Sequence, residues 1–187
     1  MLHRWPVPGG KAWGAGSDFL AVREPTKHTQ FRTLHGGLDI SHGDGRPHLV
    51  IAAAPGRVIS STTETTYNPG VIVTAGLAMY QGRPVVLYLC YGHMSPAAVR
   101  ACPVNRVLMA GVPIGNYASS EEIKSGASRN KTSPDMGSHL HFEVRLTAGG
   151  QPGERKRQYH FDPYLFLHLG RLHLGRVLGR KYPLMES

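Results

Sequence analysis

Hydrophobic and polar positions alternate with period two along Gly137–Arg145. Leu140, Phe142 and Val144 fall on one side, and His139, His141 and Glu143 on the other. Successive side chains of a strand point to opposite faces. The pattern therefore predicts a half-buried β-strand, with the apolar set on a core and two imidazoles side by side on the other face. Further short apolar runs read as strands: Leu49–Ala54 and Arg57–Ser61, joined at the turn signal Pro55-Gly56; Val71–Thr74 and Pro84–Tyr91, with Gln81-Gly82 between them; and the brief Val107–Met109 and Pro113–Ile114. Helix is sparse. Pro96–Ala101 predicts one or two turns, and Pro163–Leu169 another, with Asp162 as N-cap and Pro163 at the first helical position. Short strands punctuated by Gly and Pro predict an all-β fold of mainly antiparallel sheets, sandwich- or barrel-like, with long loops around a groove and a few short helices. The chain shows no internal repeat and no coiled-coil heptad.

At 187 residues the chain suits one domain, long enough to bury about 70% of its unfolded surface. No apolar run approaches the ~18 residues of a membrane-spanning helix. The first residues, Met1-Leu2-His3-Arg4-Trp5-Pro6, contain no apolar segment of the secretory-signal kind. A net charge of +9 favours anionic partners. No nucleic-acid motif accompanies it, so nucleic acid is not expected as a partner. Cys90 and Cys102 stand eleven residues apart, too far for a metal-binding pair. Cys90 lies in an apolar run, so two buried free thiols are expected in preference to a disulfide.

The two histidines of the 139–141 pair need partners. Adjacent imidazoles lose solvation and repel when both are charged, whereas a divalent metal takes them as neutral ligands. His35-Gly36-Gly37-Leu38-Asp39 sets an imidazole and a carboxylate four residues apart in a Gly-rich segment. His93 follows the apolar run that ends in Tyr91-Gly92. A catalytic zinc site takes three ligands from His, Asp or Glu and leaves one position for water. His35, Asp39 and one of His139 and His141 make such a set. Residue chemistry alone does not say which of the two.

These segments resemble the lysostaphin-type (LytM-type) zinc peptidases, which cleave peptide bonds of bacterial peptidoglycan. The resemblance runs from Trp5-Pro6-Val7-Pro8-Gly9 through His35–Ile40, the run Ile51–Val58, Tyr91-Gly92-His93-Met94 and Gly111–Gly115. It continues through Gly137–Arg145 to Phe161-Asp162-Pro163. It implies one zinc per chain held by His35, Asp39 and His141, with His139 and His93 as catalytic histidines acting on a metal-activated water. It also implies hydrolysis of peptidoglycan stem peptides or cross-links. The basic charge, with no wall-binding domain, points to the D-Ala–diaminopimelate type of cross-link. Two other readings stay open: a non-catalytic or regulatory wall-binding module on the same scaffold, and a zinc peptidase acting on proteins or peptides.

A wall substrate implies action in the periplasm or cell wall. Without a visible signal, the chain is expected to be a mature form, a phage lysis protein, or a toxin delivered by a contact-dependent machine, the last with an immunity protein as partner. No oligomerisation signal is visible, so a monomer is expected.

The peptidase domain is expected over residues 1–169. Loops 12–31 and 116–136 flank the site, and the latter is longer than the family's usual turn. Residues 170–187 form a basic C-terminal extension, read as a packing segment because Gly170, Gly175 and Gly179 weaken an amphipathic helix. The remaining histidines, His3, His28, His42, His48, His160, His168 and His173, are expected at the surface or in packing roles, with His42 of interest for its nearness to Asp39.

Overall fold

The alternating segment forms the centre of the fold. In this computed structural model, which describes residues 3–12, 18–23, 33–63, 70–80, 83–124, 137–148, 158–168 and 185–186, the chain order begins with β1 (Lys11–Ala12), β2 (Val22–Arg23), β3 (Thr33–Leu34), β4 (Leu38–Ser41), β5 (Leu49–Ile51) and β6 (Gly56–Thr62). Then come β7 (Gly70–Tyr80), β8 (Arg83–Gly92), α1 (Pro96–Ala101), β9 (Val107–Leu108), β10 (Pro113–Asn116) and α2 (Ser120–Lys124). The series closes with β11 (Leu140–Ala148), β12 (Gln158–Phe161), α3 (Pro163–His168) and β13 (Met185–Glu186). Nine strands make one open sheet in the order β1-β4-β11-β8-β7-β6-β9, with β12 and β13 continuing from β11. β5 with β10, and β2 with β3, form two small two-stranded sheets. Among the described residues every pairing between strands is antiparallel, so the all-β expectation holds.

β11 organises this sheet. Along one edge it pairs with β8 from His141↔Gly92 to Ala148↔Val85. Along the other it pairs first with β4 (Leu140↔Ile40, His141↔Asp39) and then with β12 (Val144↔Phe161, Arg145↔His160). Leu140, Phe142, Val144 and Leu146 are fully buried beside Leu38, Ile40 and Leu89. Each such side chain contributes about 1.5–3 kcal/mol through burial.

The opposite face departs from the half-buried expectation. His139, His141 and Glu143 are only 1%, 6% and 1% exposed. Their polar atoms are taken up by one another and by residues of β4 and the preceding turn, so water is not needed to solvate them.

The segment around Pro55-Gly56 also departs from expectation. β5 and β6 are not partners: β5 pairs with β10, and β6 with β7 and β9. Between them, Ala52, Ala53 and Ala54 cross from one sheet to the other, fully or nearly fully buried. Val112 O accepts from Ala52 N–H, and the Tyr91 hydroxyl accepts from Ala53 N–H at 2.8 Å. Gly56 lies so close to β7 that a Cβ there would sit 2.0 Å from Thr74 O.

The two predicted helices form. Ser95 Oγ caps α1 by accepting from Ala98 N–H at 3.1 Å, with Pro in the first turn. Asp162 Oδ1 accepts from Tyr164 N–H at 2.8 Å and caps α3. α2 is a turn within the 116–136 segment. Ser119 and Glu122 cap it reciprocally: Glu122 Oε2 accepts from Ser119 N–H, and Ser119 Oγ from Glu122 N–H. Cys90 and Cys102 are separate buried thiols, as expected, and burial pushes the Cys90 thiol up to about 12. Among the described residues no helix is long and apolar enough to cross a membrane. Residues 13–17 and 24–31 of the 12–31 loop, residues 125–136, and all of the C-terminal extension except β13 lie outside the described residues, as do His28 and His173.

Candidate metal centre

The turn that carries His35 into β4 works because of two glycines. A Cβ on Gly36 would stand 2.6 Å from His160 Nδ1, and one on Gly37 would stand 2.7 Å from both Phe142 O and Glu143 Cγ. Their absence lets His35-Gly36-Gly37 press against β11, and β4 then sets Asp39 directly across from His141. Strand alternation does the rest on β11, placing His139, His141, Glu143 and Arg145 in one row.

Three donor atoms converge there. His141 Nδ1 lies 2.8 Å from Asp39 Oδ1 and 2.9 Å from His35 Nε2, and His35 Nε2 lies 3.2 Å from Asp39 Oδ1. All three residues are buried, and they form a group that could hold a metal ion. Zinc with ligands about 2.0–2.1 Å away in a tetrahedron keeps them about 3.3 Å apart, close to these spacings. Two imidazoles and one carboxylate are also the donor set that zinc favours. The residues present therefore fit the ion that the sequence implied. His35 is aimed by its other nitrogen, Nδ1, at 3.1 Å from Asp18 O.

The electrostatics follow from this packing. Burial works against charge on Asp39, but hydrogen bonds from His141 and His35 and the nearby imidazoles outweigh it. Its carboxyl is held well below the usual carboxylate range. Burial likewise opposes charge on His141, yet Asp39 and Glu143 raise its pKa to about 9. Glu143 is lowered to about 2, because His141 and Arg145 overcome the penalty of burial. An anionic cage around His141 is thus a strong attractor for a cation.

His139 and His93 stand beside the donor group. His139 Nδ1 lies 2.7 Å from Gly137 O. An N–H at Nδ1 donates to that carbonyl, which leaves the lone pair on Nε2. Nε2 faces the donor group, 3.5 Å from Asp39 Oδ1. The His93 ring meets the His139 ring edge-on, with centroids 4.8 Å apart, and lies 5.7 Å from His141. His93 has φ of +58°, a left-handed conformation uncommon for a residue with a side chain. It ends β8 and turns the ring off the strand's alternation toward β11. Its carbonyl is pinned by Ala118 N–H at 2.8 Å.

All five residues singled out in the sequence are therefore brought together. Glu143 was not singled out, although it occupies the third position of the polar row His139-His141-Glu143. His160, expected at the surface or in packing, packs against the His35 turn and near Glu143: its Nδ1 lies 2.9 Å from Gly36 O and 3.6 Å from Glu143 Oε2. His42 lies outside the donor group. It stacks on His48 with centroids 3.9 Å apart, and His48 pairs with Asp44 at the surface.

With this geometry in place, comparison with known proteins identifies the class. The model of Peptidase family M23 matches residues 33–154, and the chain belongs to that family. Comparison with curated proteins gives no significant match. Among solved structures, a chain of the SpoIIIAH and SpoIIQ complex superposes with a TM-score of 0.54 at 18% identity, covering 88% of this chain and 99% of that one. A chain of the SpoIIQ-SpoIIIAH pore forming complex gives 0.52 at 17% identity, covering 89% and 90%. Csd3 of Helicobacter pylori gives 0.47 at 20% identity, covering 91% of this chain and 40% of Csd3. At these identities the first two likenesses speak to the fold alone.

Proposed function

We propose that this protein is a zinc-dependent endopeptidase that hydrolyses peptide cross-links of bacterial peptidoglycan, of the D-Ala–diaminopimelate type. The observation that carries the reading is the convergence of His35 Nε2, Asp39 Oδ1 and His141 Nδ1 within 3.2 Å of one another, with two further imidazoles alongside. A bound zinc would be held by these three and would supply a Lewis acid that lowers the pKa of a water from 15.7 to about 7. His139, with its lone pair at Nε2, accepts the proton from the attacking water and returns it to the departing amine. His93 orients the scissile carbonyl by donating to its oxygen as charge builds there. Burial of the donor group keeps bulk water from competing. A second copy of the chain contributes nothing to this scheme, which suits a monomer. The substrate places its work in the periplasm or cell wall.

Purified diaminopimelate-type sacculi, digested by the zinc-loaded protein and read by mass spectrometry of the muropeptides, test the reading. Cross-linked dimers should convert to monomers, and the His141→Ala protein should leave them intact. Uncut dimers with one zinc bound per chain would point to a binding module. Casein hydrolysed in preference to sacculi would point to a protein substrate.

A further inference from the structure

The polar row on β11 continues past the donor group, and none of the roles above uses its remaining members. Glu143 has a side chain only 2% exposed. A carboxylate so placed is costly unless each oxygen is engaged, and both are. Glu143 Oε1 accepts from His141 Nε2–H at 2.7 Å, and Oε2 accepts from Arg145 Nε–H at 2.5 Å. His160 stands across from Arg145 on β12, between Oε2 and Gly36 O. The carboxylate therefore backs one donor, His141, and stands 3.6 Å from the His160 ring that is bonded to the turn carrying another, His35.

An imidazole offers a metal one lone pair, and the proton must then sit on its other nitrogen. His141 presents Nδ1 to Asp39 and His35, so Nε2 must carry the hydrogen. An acceptor fixed behind Nε2 enforces that tautomer and the ring's orientation.

We propose that Glu143 is a positioning residue for His141, and that Arg145 and His160 hold Glu143 in place, with His160 also tying it to the His35 turn. This rests on the metal reading given above. Loss of the carboxylate should weaken zinc binding by about 10–100-fold, the range typical of partners behind metal ligands. His160 acts one step further away and should matter less than Glu143.

The test measures zinc affinity by competition with a chromophoric chelator for the full chain and for Glu143→Ala, Glu143→Gln and His160→Gln. Histidine ring-nitrogen NMR of the zinc-loaded proteins reports the His141 tautomer directly. The parent should show His141 protonated at Nε2. Glu143→Ala should lose both affinity and that resolved signal. Glu143→Gln retains an oxygen that accepts from Nε2–H but turns an amide N–H₂ toward Arg145, so it should recover part of the affinity and keep the tautomer. His160→Gln should lie between Glu143→Gln and the parent. Circular dichroism of the metal-free proteins establishes folding; if Glu143→Ala fails to fold, Glu143→Gln and His160→Gln decide. Folded variants with parental zinc affinity and an unchanged His141 signal would overturn the proposal alone. A parent that binds no zinc would overturn the metal reading with it.

Discussion

Adding one methyl group at each of two neighbouring glycines should produce unequal damage. In Gly37→Ala the new Cβ would lie 2.7 Å from Phe142 O, 2.7 Å from Glu143 Cγ and 2.9 Å from His141 Cε1. Phe142 O is backbone at the centre of the sheet and cannot rotate aside, so β4 must lift from β11. Overpacking of this kind costs about 1–3 kcal/mol. In Gly36→Ala the new Cβ meets only the His160 ring, at 2.6 and 2.7 Å for its nearest atoms. That ring is partly exposed and can swing away, giving up its hydrogen bond with Gly36 O, worth about 0.5–1.5 kcal/mol. Stiffening the unfolded chain by replacing Gly with Ala returns about 0.4–1 kcal/mol in either case. Gly36→Ala should therefore be nearly neutral. Gly37→Ala should lose about 1–2 kcal/mol, or about 2–8 °C in melting temperature for a chain of this size. Gly37→Ala should also weaken zinc binding, because the strain falls on His141 and on the strand that carries Asp39. The assay is thermal melting of the metal-free proteins paired with zinc competition. Equal losses at the two positions, or a larger loss at Gly36, would refute this account of how the turn is packed.

Three further predictions concern other parts of the molecule. His139→Ala and His93→Ala should each slow muropeptide cleavage by about 10²–10⁴-fold while retaining zinc, measured by single-turnover digestion and metal analysis; loss of zinc from either would make it a ligand instead. In the metal-free protein the His141 pKa rises from 6.5 to about 9 on folding, so its stabilisation is complete below pH 6.5 and is lost as pH rises toward 9. The Glu143 pKa falls from 4.5 to about 2, so its contribution is present above 4.5 and is lost as pH drops toward 2. Urea midpoints should accordingly peak between these limits, and a profile flat from neutral to alkaline pH would contradict the cage around His141. Cys90 and Cys102 should resist thiol reagents in the native protein and react only on unfolding, because both are buried; fast labelling of native protein would contradict that burial.

Local pattern was enough for a good part of this molecule. The alternation from His139 to Leu146 specifies a strand whatever lies beside it, because side chains on a strand repeat every two residues. Asp162-Pro163 and Ser95-Pro96 start helices through bonds made within one turn. The His35–Asp39 spacing and the 139–141 pair offer a donor set suited to a metal, and the family resemblance makes that reading specific.

What escaped the sequence depends on contacts between distant segments. Residue chemistry could not separate His139 from His141, since their surroundings turn on register: β4 lies against β11 so that Asp39 pairs with His141, while His139 Nδ1 meets the Gly137 carbonyl. Pro55-Gly56 looked like a hairpin turn, but a chain crossing between two sheets uses the same residues, and only the partners of β5 and β6 tell them apart. His160 is one of seven histidines expected at the surface or in packing, and the pairing of β12 with β11 is what brings it near Glu143. Periodicity tells which side of a strand a residue occupies. The neighbour it meets there is set by strand pairing over a hundred residues of chain, and that is a property of the folded sheet.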